Sequence, residues 1–392
     1  LKKLKSEEVI VAVVDSGVDI EHEDLKGKIW VNKDEIPNNG KDDDNNGYID
    51  DVHGWNFLGN EKGEHLNDAT LEKTRLYRDL QKRFSDIDAS TLSAKDKKQY
   101  ELYQKVKADV DADVAKYGQY IQYMEMLPNI IAAVPGQVAE KIGKKDYTEK
   151  DLKKWKPEND QDKQMKGLAM AILTGELSEE VVAEQQKAIN SMLEYNLNIE
   201  FNDRKLVGDN PNDFSDVKYG NNDVEGPDAL HGTHVGGIIG AVRGNGLGGD
   251  GVAENVKLMV LRAVPNGDEY DKDIALAIRY AVDNGASVIN MSFGKSYSPN
   301  AKEVYEAFKY ADSKGVLCVH AAGNDGANLD VANNFPTSKY EFQTEPFSHF
   351  LTIGASTRYK KGKIAASFSN YSSTKVDIFA PGYEIYNTVP LS

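Results

Sequence analysis

The chain has 392 residues, of which 40% are hydrophobic, and a formal net charge of −16. This length exceeds one typical domain and predicts one large domain with an insertion or a second unit. The acidic balance argues against a nucleic-acid or anionic membrane surface, so we expect no nucleic-acid partner. No apolar run approaches the length that crosses a bilayer, so we expect no transmembrane segment.

The sequence contains one cysteine, Cys318, which excludes an intramolecular disulfide. It lies in the apolar run 315–319, whose sequence is GVLCV. A thiol in such a run is typical of a buried core residue rather than of a nucleophile. We therefore predict a structural role for Cys318.

The first predicted element is a strand over residues 9–14, whose sequence is VIVAVV. An uninterrupted β-branched run indicates a strand that is buried on both faces. It ends at Asp15, where open α/β sheets place their ligands and their chemistry. On its own, a strand-end Asp is more often a cap or turn residue than a functional one.

An acidic run follows at residues 42–51, with the sequence DDDNNGYIDD. Oxygen-bearing side chains at alternate positions, with Gly47 at the sixth, resemble the first half of a calcium-binding loop. His53 stands at the twelfth position, where such loops place a bidentate Glu. We predict a calcium site here, with a solvated acidic turn as the alternative, and its candidate ligands are Asp42, Asp44, Asn46 and Asp50.

The composition then changes over residues 60–201, where apolar residues recur at helical spacing. We predict an all-helical insertion of amphipathic helices, with Pro128 and Pro135 breaking the helical pattern. Thr148 and Ser178 are predicted to begin two of its helices, since each is followed by acidic residues. The predicted organisation is a first domain segment at 1–59, the insertion at 60–201, and the continued domain at 202–392.

Residues 228–240 have the sequence DALHGTHVGGIIG, which indicates a helix packed closely on a sheet with His231 at its exposed start. A histidine in this position is as compatible with a packed or capping residue as with a catalyst. Strand and helix patterns then alternate over residues 256–322. Short connections between them predict an α/β fold, a doubly wound parallel sheet.

Five segments occur in an order and at a spacing that closely resemble the subtilisin-like serine peptidases, the subtilases. They are VAVVDSG at 11–17, HGTHVGG at 231–237, VINMSFG at 288–294, AAGN at 321–324, and FSNY at 368–371 followed by APG at 380–382. The resemblance covers residues 9–56 and 201–392 and leaves the helical insertion outside. It implies a subtilisin-like sheet and the activity of an endopeptidase.

By matched position, the resemblance implies that His231 is the general base and that Asp15 orients and stabilises its imidazole. Asn324 would donate its side-chain amide to the developing oxyanion. The substrate, a peptide or protein, would pair as an added strand with Ser292, Phe293 and Gly294. One wall of the primary specificity pocket would be formed by Ala321, Ala322 and Gly323.

The resemblance also implies a structural calcium ion, distinct from the one at residues 42–51. Asp24 matches the family's calcium-ligating Asp, and Asn245 lies in the loop that surrounds that ion. Export is implied as well, to the medium, the periplasm or the cell surface. The sequence starts at Leu1 without a signal peptide, and we therefore expect that a leader or pro-segment has been removed.

The family's nucleophile motif, Gly-Thr-Ser-Met-Ala-x-Pro, does not occur in the sequence, and neither Ser292, Ser369 nor Ser392 has its context. We therefore expect the 392 residues alone to be inactive. The rival hypothesis is a pseudopeptidase or partner-binding scaffold that uses the cleft and the insertion. The presence of Asp15, His231 and Asn324 together favours the enzyme, because a scaffold needs none of them.

Overall fold

The computed structural model describes residues 6–359 and 364–390. The chain divides into two compact units, the first Leu1–Arg75 together with Asn202–Ser392 and the second Leu76–Phe201. Among the described residues, no helix combines the length and the apolar composition that crossing a bilayer requires.

Within the described residues, seven strands form one sheet in the order β2-β3-β1-β4-β5-β6-β7, and every neighbouring pair is parallel. The strands are β1 Val9–Asp15, β2 Gly54–Asn56, β3 Val256–Arg262, β4 Val288–Met291, β5 Leu317–Ala321, β6 Phe350–Ser356 and β7 Ile378–Pro381. The carboxyl ends of parallel strands lie at one edge of the sheet, and that edge carries the candidate site.

The α-helices are α1 Glu72–Phe84, α2 Ala94–Ile142, α3 Glu149–Lys154, α4 Asp160–Thr174, α5 Glu179–Ser191, α6 Arg204–Val207, α7 Leu230–Gly240, α8 Asp271–Asp283 and α9 Ala301–Ser313. Short 3₁₀ segments occur at Glu23–Leu25 and Ala89–Thr91, and a π-helical segment at Met192–Asn196.

Strand β1 shows why helices cover both faces of the sheet. Because side chains alternate along a strand, Ala12 and Val14 face one side, where they share a core cluster with residues of α8 and α9. Val11 and Val13 face the other side, in a cluster that also includes residues of β3 and is packed against by α7. The predicted doubly wound α/β sheet is confirmed.

Cys318 lies in β5 and is buried, as its apolar neighbours predicted. Burial raises the pKa of its thiol to about 12. The side chain is therefore a neutral core group at physiological pH, which agrees with a structural role.

The second unit is helical, as predicted, and its helices α3 and α5 follow directly after Thr148 and Ser178. The predicted breaks at Pro128 and Pro135 are wrong, because α2 is one helix of 49 residues that contains both prolines. Val134 and Val138 of α2 pack with residues of α3 and α4 in a buried cluster. Pro128 is exposed, so water can satisfy the carbonyl that loses its intrahelical partner. Packing of the apolar face thus outweighs the local cost of the two prolines.

Candidate active site

At the centre of the site, the side chains of Asp15 and His231 are in contact, although the two residues are 216 positions apart in sequence. Asp15 is the last residue of β1 and is 2% exposed. His231 is the second residue of α7, and its side chain is 60% exposed. The His231 Nδ1 lies 2.6 Å from the Asp15 Oδ1. The structure therefore brings together the two residues that the resemblance pairs.

Gly232 explains how α7 comes so close to the end of β1. A Cβ atom at this position would lie 2.0 Å from the carbonyl oxygen of Gly17 and 3.2 Å from the Cβ of Asp15. Any larger residue would push the helix start away from the strand end. A glycine at position 232 is therefore needed for His231 to lie within hydrogen-bond distance of Asp15.

The hydrogen bonds define the protonation of His231. The Asp15 Oδ1 also accepts a hydrogen bond from the backbone N–H of Ser16 at 2.8 Å, so this oxygen acts as an acceptor. The His231 Nδ1 must then carry the proton that it shares with Asp15. This bond raises the pKa of His231 above its usual value. The Nε2 makes no hydrogen bond within the described part of the chain, so its lone pair is free to take a proton.

A cleft of about 350 Å³ opens beside this pair, and Asp15, His231 and the segment 292–294 all line it. Ser292, Phe293 and Gly294 directly follow β4. In the described residues, the backbone N–H and C=O groups of Ser292 and Gly294 have no hydrogen-bond partner. They remain available to an extended peptide, which is what strand addition requires.

A second cavity, of about 330 Å³, is lined by Ser292 and by Ala321, Ala322, Gly323 and Asn324. Ala321 ends β5, and Ala322 is buried. Asn324 is exposed, and its side-chain amide has no hydrogen-bond partner among the described residues. The structure places all six predicted substrate-binding residues, together with Asn324, along the walls of two cavities that share Ser292.

Sequence reasoning missed two asparagines that hold the 321–323 segment. The Asn334 amide donates to the carbonyls of Ala321 (3.1 Å) and Ala322 (2.9 Å). The Asn370 amide also donates to the Ala322 carbonyl at 2.9 Å, and its backbone N–H donates to the Gly323 carbonyl. Asn370 lies in the segment FSNY, so a signal for it was present, whereas nothing in the sequence marked Asn334.

The hydroxyls of Ser369 and Ser292 form hydrogen bonds with groups other than His231. Ser369 is buried, accepts from the backbone of Ala355 and donates to the carbonyl of Asn370. Ser292 accepts from the Asn290 side chain at 2.9 Å. Neither hydroxyl forms a hydrogen bond with His231.

The acidic loop gathers three carboxylates, from Glu35, Asp42 and Asp44, with one oxygen of each within 4.8 Å of the others. Glu35 was missed by sequence reasoning because it precedes the acidic run. It is 6% exposed, its Oε2 is buried without a hydrogen-bond partner, and burial raises its pKa. Asn46 adjoins the group through its amide, which donates to Asp44.

The structure does not bring Asp50 into that group. Its carboxylate instead accepts hydrogen bonds from the backbone N–H groups of Asn39 and Gly40, at 3.0 and 2.8 Å. Asp50 also has a positive φ of 53°, which turns the chain at this point. The residue therefore closes the loop rather than joining the three carboxylates.

Asp24 and Asn245 are brought together as the resemblance implied. Asp24 is almost fully buried, and its Oδ1 accepts from the Asn245 amide at 2.7 Å. Its Oδ2 accepts from the Thr388 hydroxyl at 3.2 Å, a partner that the sequence did not reveal. Both carboxylate oxygens thus already have polar partners within the chain.

The chain is similar in sequence to known proteases. The chain is 38% identical over 178 residues to a thermophilic serine proteinase of Bacillus sp. (strain AK1), covering 45% of this chain and 39% of that protein. It is 37% identical over 163 residues to thermitase of Thermoactinomyces vulgaris, covering 41% and 52%. It is also 34% identical over 172 residues to a cell wall-associated protease of Bacillus subtilis (strain 168), covering 44% and 17%.

The chain therefore spans less than two thirds of the length of each of these relatives. The sequence profile of the Subtilase family, in contrast, matches residues 6–391, which is nearly the whole chain. Together with the paired Asp15 and His231 at the carboxyl edge of a parallel sheet, this match shows that the chain belongs to the subtilase family.

Proposed function

We propose that the protein is a serine endopeptidase that cleaves peptide bonds by acyl transfer. The observation that carries this proposal is the 2.6 Å contact between His231 Nδ1 and Asp15 Oδ1 beside an open cleft. His231 Nε2 takes the proton of an attacking serine and later delivers it to the leaving amine. Asp15 holds the Nδ1–H tautomer and stabilises the imidazolium that forms in between.

The substrate lies along Ser292–Gly294 as an added strand. The side chain of the substrate residue before the cleaved bond enters the cavity that Ala321–Gly323 line. Asn324 donates to the oxygen of the tetrahedral intermediate, since its amide is exposed and has no hydrogen-bond partner among the described residues. The serine itself is not assigned to any residue among the 392. The proposal concerns the whole protein to which these residues belong, called the full-length protein below.

The proposal is tested by hydrolysis of an unfolded protein such as casein by the full-length protein. We expect cleavage that a fluorophosphonate abolishes, because that reagent phosphonylates a serine activated by a neighbouring histidine. The His231→Ala variant is the control for a contaminating protease and should show no cleavage. Hydrolysis that persists unchanged in this variant would overturn the proposal.

We also propose a structural calcium ion at the acidic loop. The orphaned, buried Oε2 of Glu35 fits this ion, because a carboxylate oxygen buried without a partner is stabilised by a cation. Glu35, Asp42 and Asp44 would hold the ion, with Asn46 beside them.

We further propose that Asp24 and Asn245 belong to a second calcium site, because the family resemblance implies one there.

Calcium should raise the unfolding temperature of the protein, because an ion bound only by the folded state stabilises it by about 2.7 kcal/mol at a concentration 100 times its Kd. The Glu35→Gln variant should lose most of this response, measured by scanning calorimetry with calcium and with a chelator. Asp34→Asn is the matched control, since Asp34 is an exposed neighbour and the charge change is the same. If calcium raised the unfolding temperature equally in the wild type, Glu35→Gln and Asp34→Asn, Glu35 would not be part of the site.

The remaining assignments are proposals of the same kind. We place the protein outside the cell or at its surface, because relatives include a cell wall-associated protease. A pro-segment and the domain division at residues 59/60 and 201/202 also stay proposals. Limited proteolysis followed by mass analysis would map the domain boundaries.

A further inference from the structure

A buried histidine lies directly behind the proposed substrate strand. His320 belongs to β5, is 1% exposed, and precedes the 321–323 wall by one residue. Its Nε2 lies 2.8 Å from the carbonyl oxygen of Phe293. His320 therefore links the two segments that are proposed to bind substrate, 292–294 and 321–323.

The chemistry of this contact fixes the tautomer. A carbonyl oxygen only accepts hydrogen bonds, so the His320 Nε2 must carry a proton and donate it. Burial lowers the pKa of His320 to about 4, so the ring is neutral at physiological pH. The rings of Phe293 and Phe350 lie near it, with centroids at 6.3 and 6.1 Å. Aromatic packing and one directed hydrogen bond thus hold the imidazole in place.

The segment 292–294 has little else to hold its backbone. Within the described residues, the backbone groups of Ser292 and Gly294 form no hydrogen bond. The next anchor is Lys295, whose N–H and C=O pair with the backbone of Phe335 at 3.1 and 2.8 Å. Between the end of β4 and Lys295, the bond from His320 is the one hydrogen bond to the main chain that the described residues form.

We propose that His320 is a positioning residue that holds the backbone of Ser292–Gly294 extended and in register with the 321–323 wall, ready to pair with a peptide. This inference rests on the proposed function, since it concerns how a peptide binds. His320 is 1% exposed and borders the cavity that Ala321–Asn324 line. It acts through the carbonyl of Phe293, which it turns toward β5, so that the Ser292 and Gly294 groups remain free for the peptide.

The test compares His320→Leu, which keeps apolar volume but has no donor, with His320→Gln, whose amide nitrogen can reach the same carbonyl. Two rates are measured in the full-length protein. One is kcat/KM for a peptide long enough to pair with the segment, and the other is the rate of inactivation by a small fluorophosphonate, which needs only the nucleophile and its base. We expect His320→Leu to lower kcat/KM about tenfold to a hundredfold, because a small misplacement of a binding group has effects of this size.

The inactivation rate of His320→Leu should stay within about twofold of wild type, and His320→Gln should recover most of the peptide rate. Equal losses in both rates would show general damage and overturn the inference. An unchanged peptide rate in His320→Leu would overturn it as well. If the wild type neither cleaves the peptide nor reacts with the fluorophosphonate, the proposed function fails by itself.

A measurement on the wild type keeps the inference testable even if a variant does not fold or the protein proves inactive. In ¹⁵N NMR spectra, His320 should show the neutral Nε2–H tautomer, and its Nε2–H resonance should shift when a substrate-derived peptide binds. A spectrum of the Nδ1–H tautomer would contradict the proposal. So would a resonance that does not move when the peptide binds.

Discussion

We expect the Asp15→Asn variant of the full-length protein to lose about 10⁴-fold in kcat, the size of loss that follows when a serine peptidase of another family loses this carboxylate. The amide of Asn can present an N–H group to His231 Nδ1, which favours the opposite tautomer of the ring. The Nε2 would then carry a proton and could not accept one from the nucleophile. Steady-state kinetics on a peptide substrate measures this loss.

The pH dependence of the residual activity should change in a defined direction. Catalysis needs neutral His231, so activity falls on the acid side as the ring is protonated. The hydrogen bond with Asp15 raises the pKa of His231, so the wild-type acid limb should lie above the usual pKa of about 6.5 for histidine. Removing the carboxylate removes the main cause of the raised His231 pKa. The activity of Asp15→Asn should therefore begin to fall at a lower pH than that of the wild type.

Asp228→Asn is the matched control for a change of charge at the cleft. Asp228 lines the cleft and raises the pKa of His231 only through a longer-range charge effect. We expect a smaller shift of the acid limb and a kcat within about tenfold of wild type. A loss in Asp228→Asn as large as that in Asp15→Asn would contradict the assignment of Asp15.

The second large effect concerns stability. We expect Arg204→Met to lower the free energy of unfolding by about 3–5 kcal/mol, the usual result of removing one partner of a buried ion pair. Arg204 is 5% exposed, and its guanidinium donates to Asp273 at 2.7 Å and to Asp209 at 2.7 Å. Without it, Asp209 keeps Lys272 at 2.8 Å, whereas Asp273 keeps, within the described part of the chain, only the hydroxyl of Tyr219.

Urea denaturation measures this change, and the His231→Ala background prevents self-digestion during the experiment. Lys309→Met is the matched control, because it removes a cation from an exposed pair with Glu306 in the same compact unit. Exposed pairs contribute about 0–1 kcal/mol, so this variant should be close to its parent. Equal effects of the two substitutions would show that the buried network does not stabilise the fold.

The fold could be predicted where the signal is local and repeated along the chain. The β-branched run at residues 9–14 indicated a strand buried on both faces, and its alternate side chains enter two different clusters. Asp15 and His231 lie far apart in sequence, and their pairing came from the family resemblance rather than from spacing. The structure places the two side chains in contact because Gly232 permits a close approach that no sequence periodicity encodes.

Other features depend on contacts that the sequence does not display. Glu35 looks like an ordinary surface acid, and only its burial beside Asp42 and Asp44 distinguishes it. Pro128 is a strong local signal for a helix end, yet packing along α2 overrides it. His320 lies in an apolar strand pattern, and its link to Phe293 becomes visible only when β4 and β5 are placed side by side.

The most direct test of the peptidase assignment is the intact mass of the full-length protein before and after treatment with a fluorophosphonate. We predict that the wild type gains the mass of one phosphonyl group and that the His231→Ala variant gains none, because the serine is activated only by the base that Asp15 orients. A wild-type protein whose mass is unchanged by the reagent would contradict the assignment and favour a binding scaffold built on the same fold.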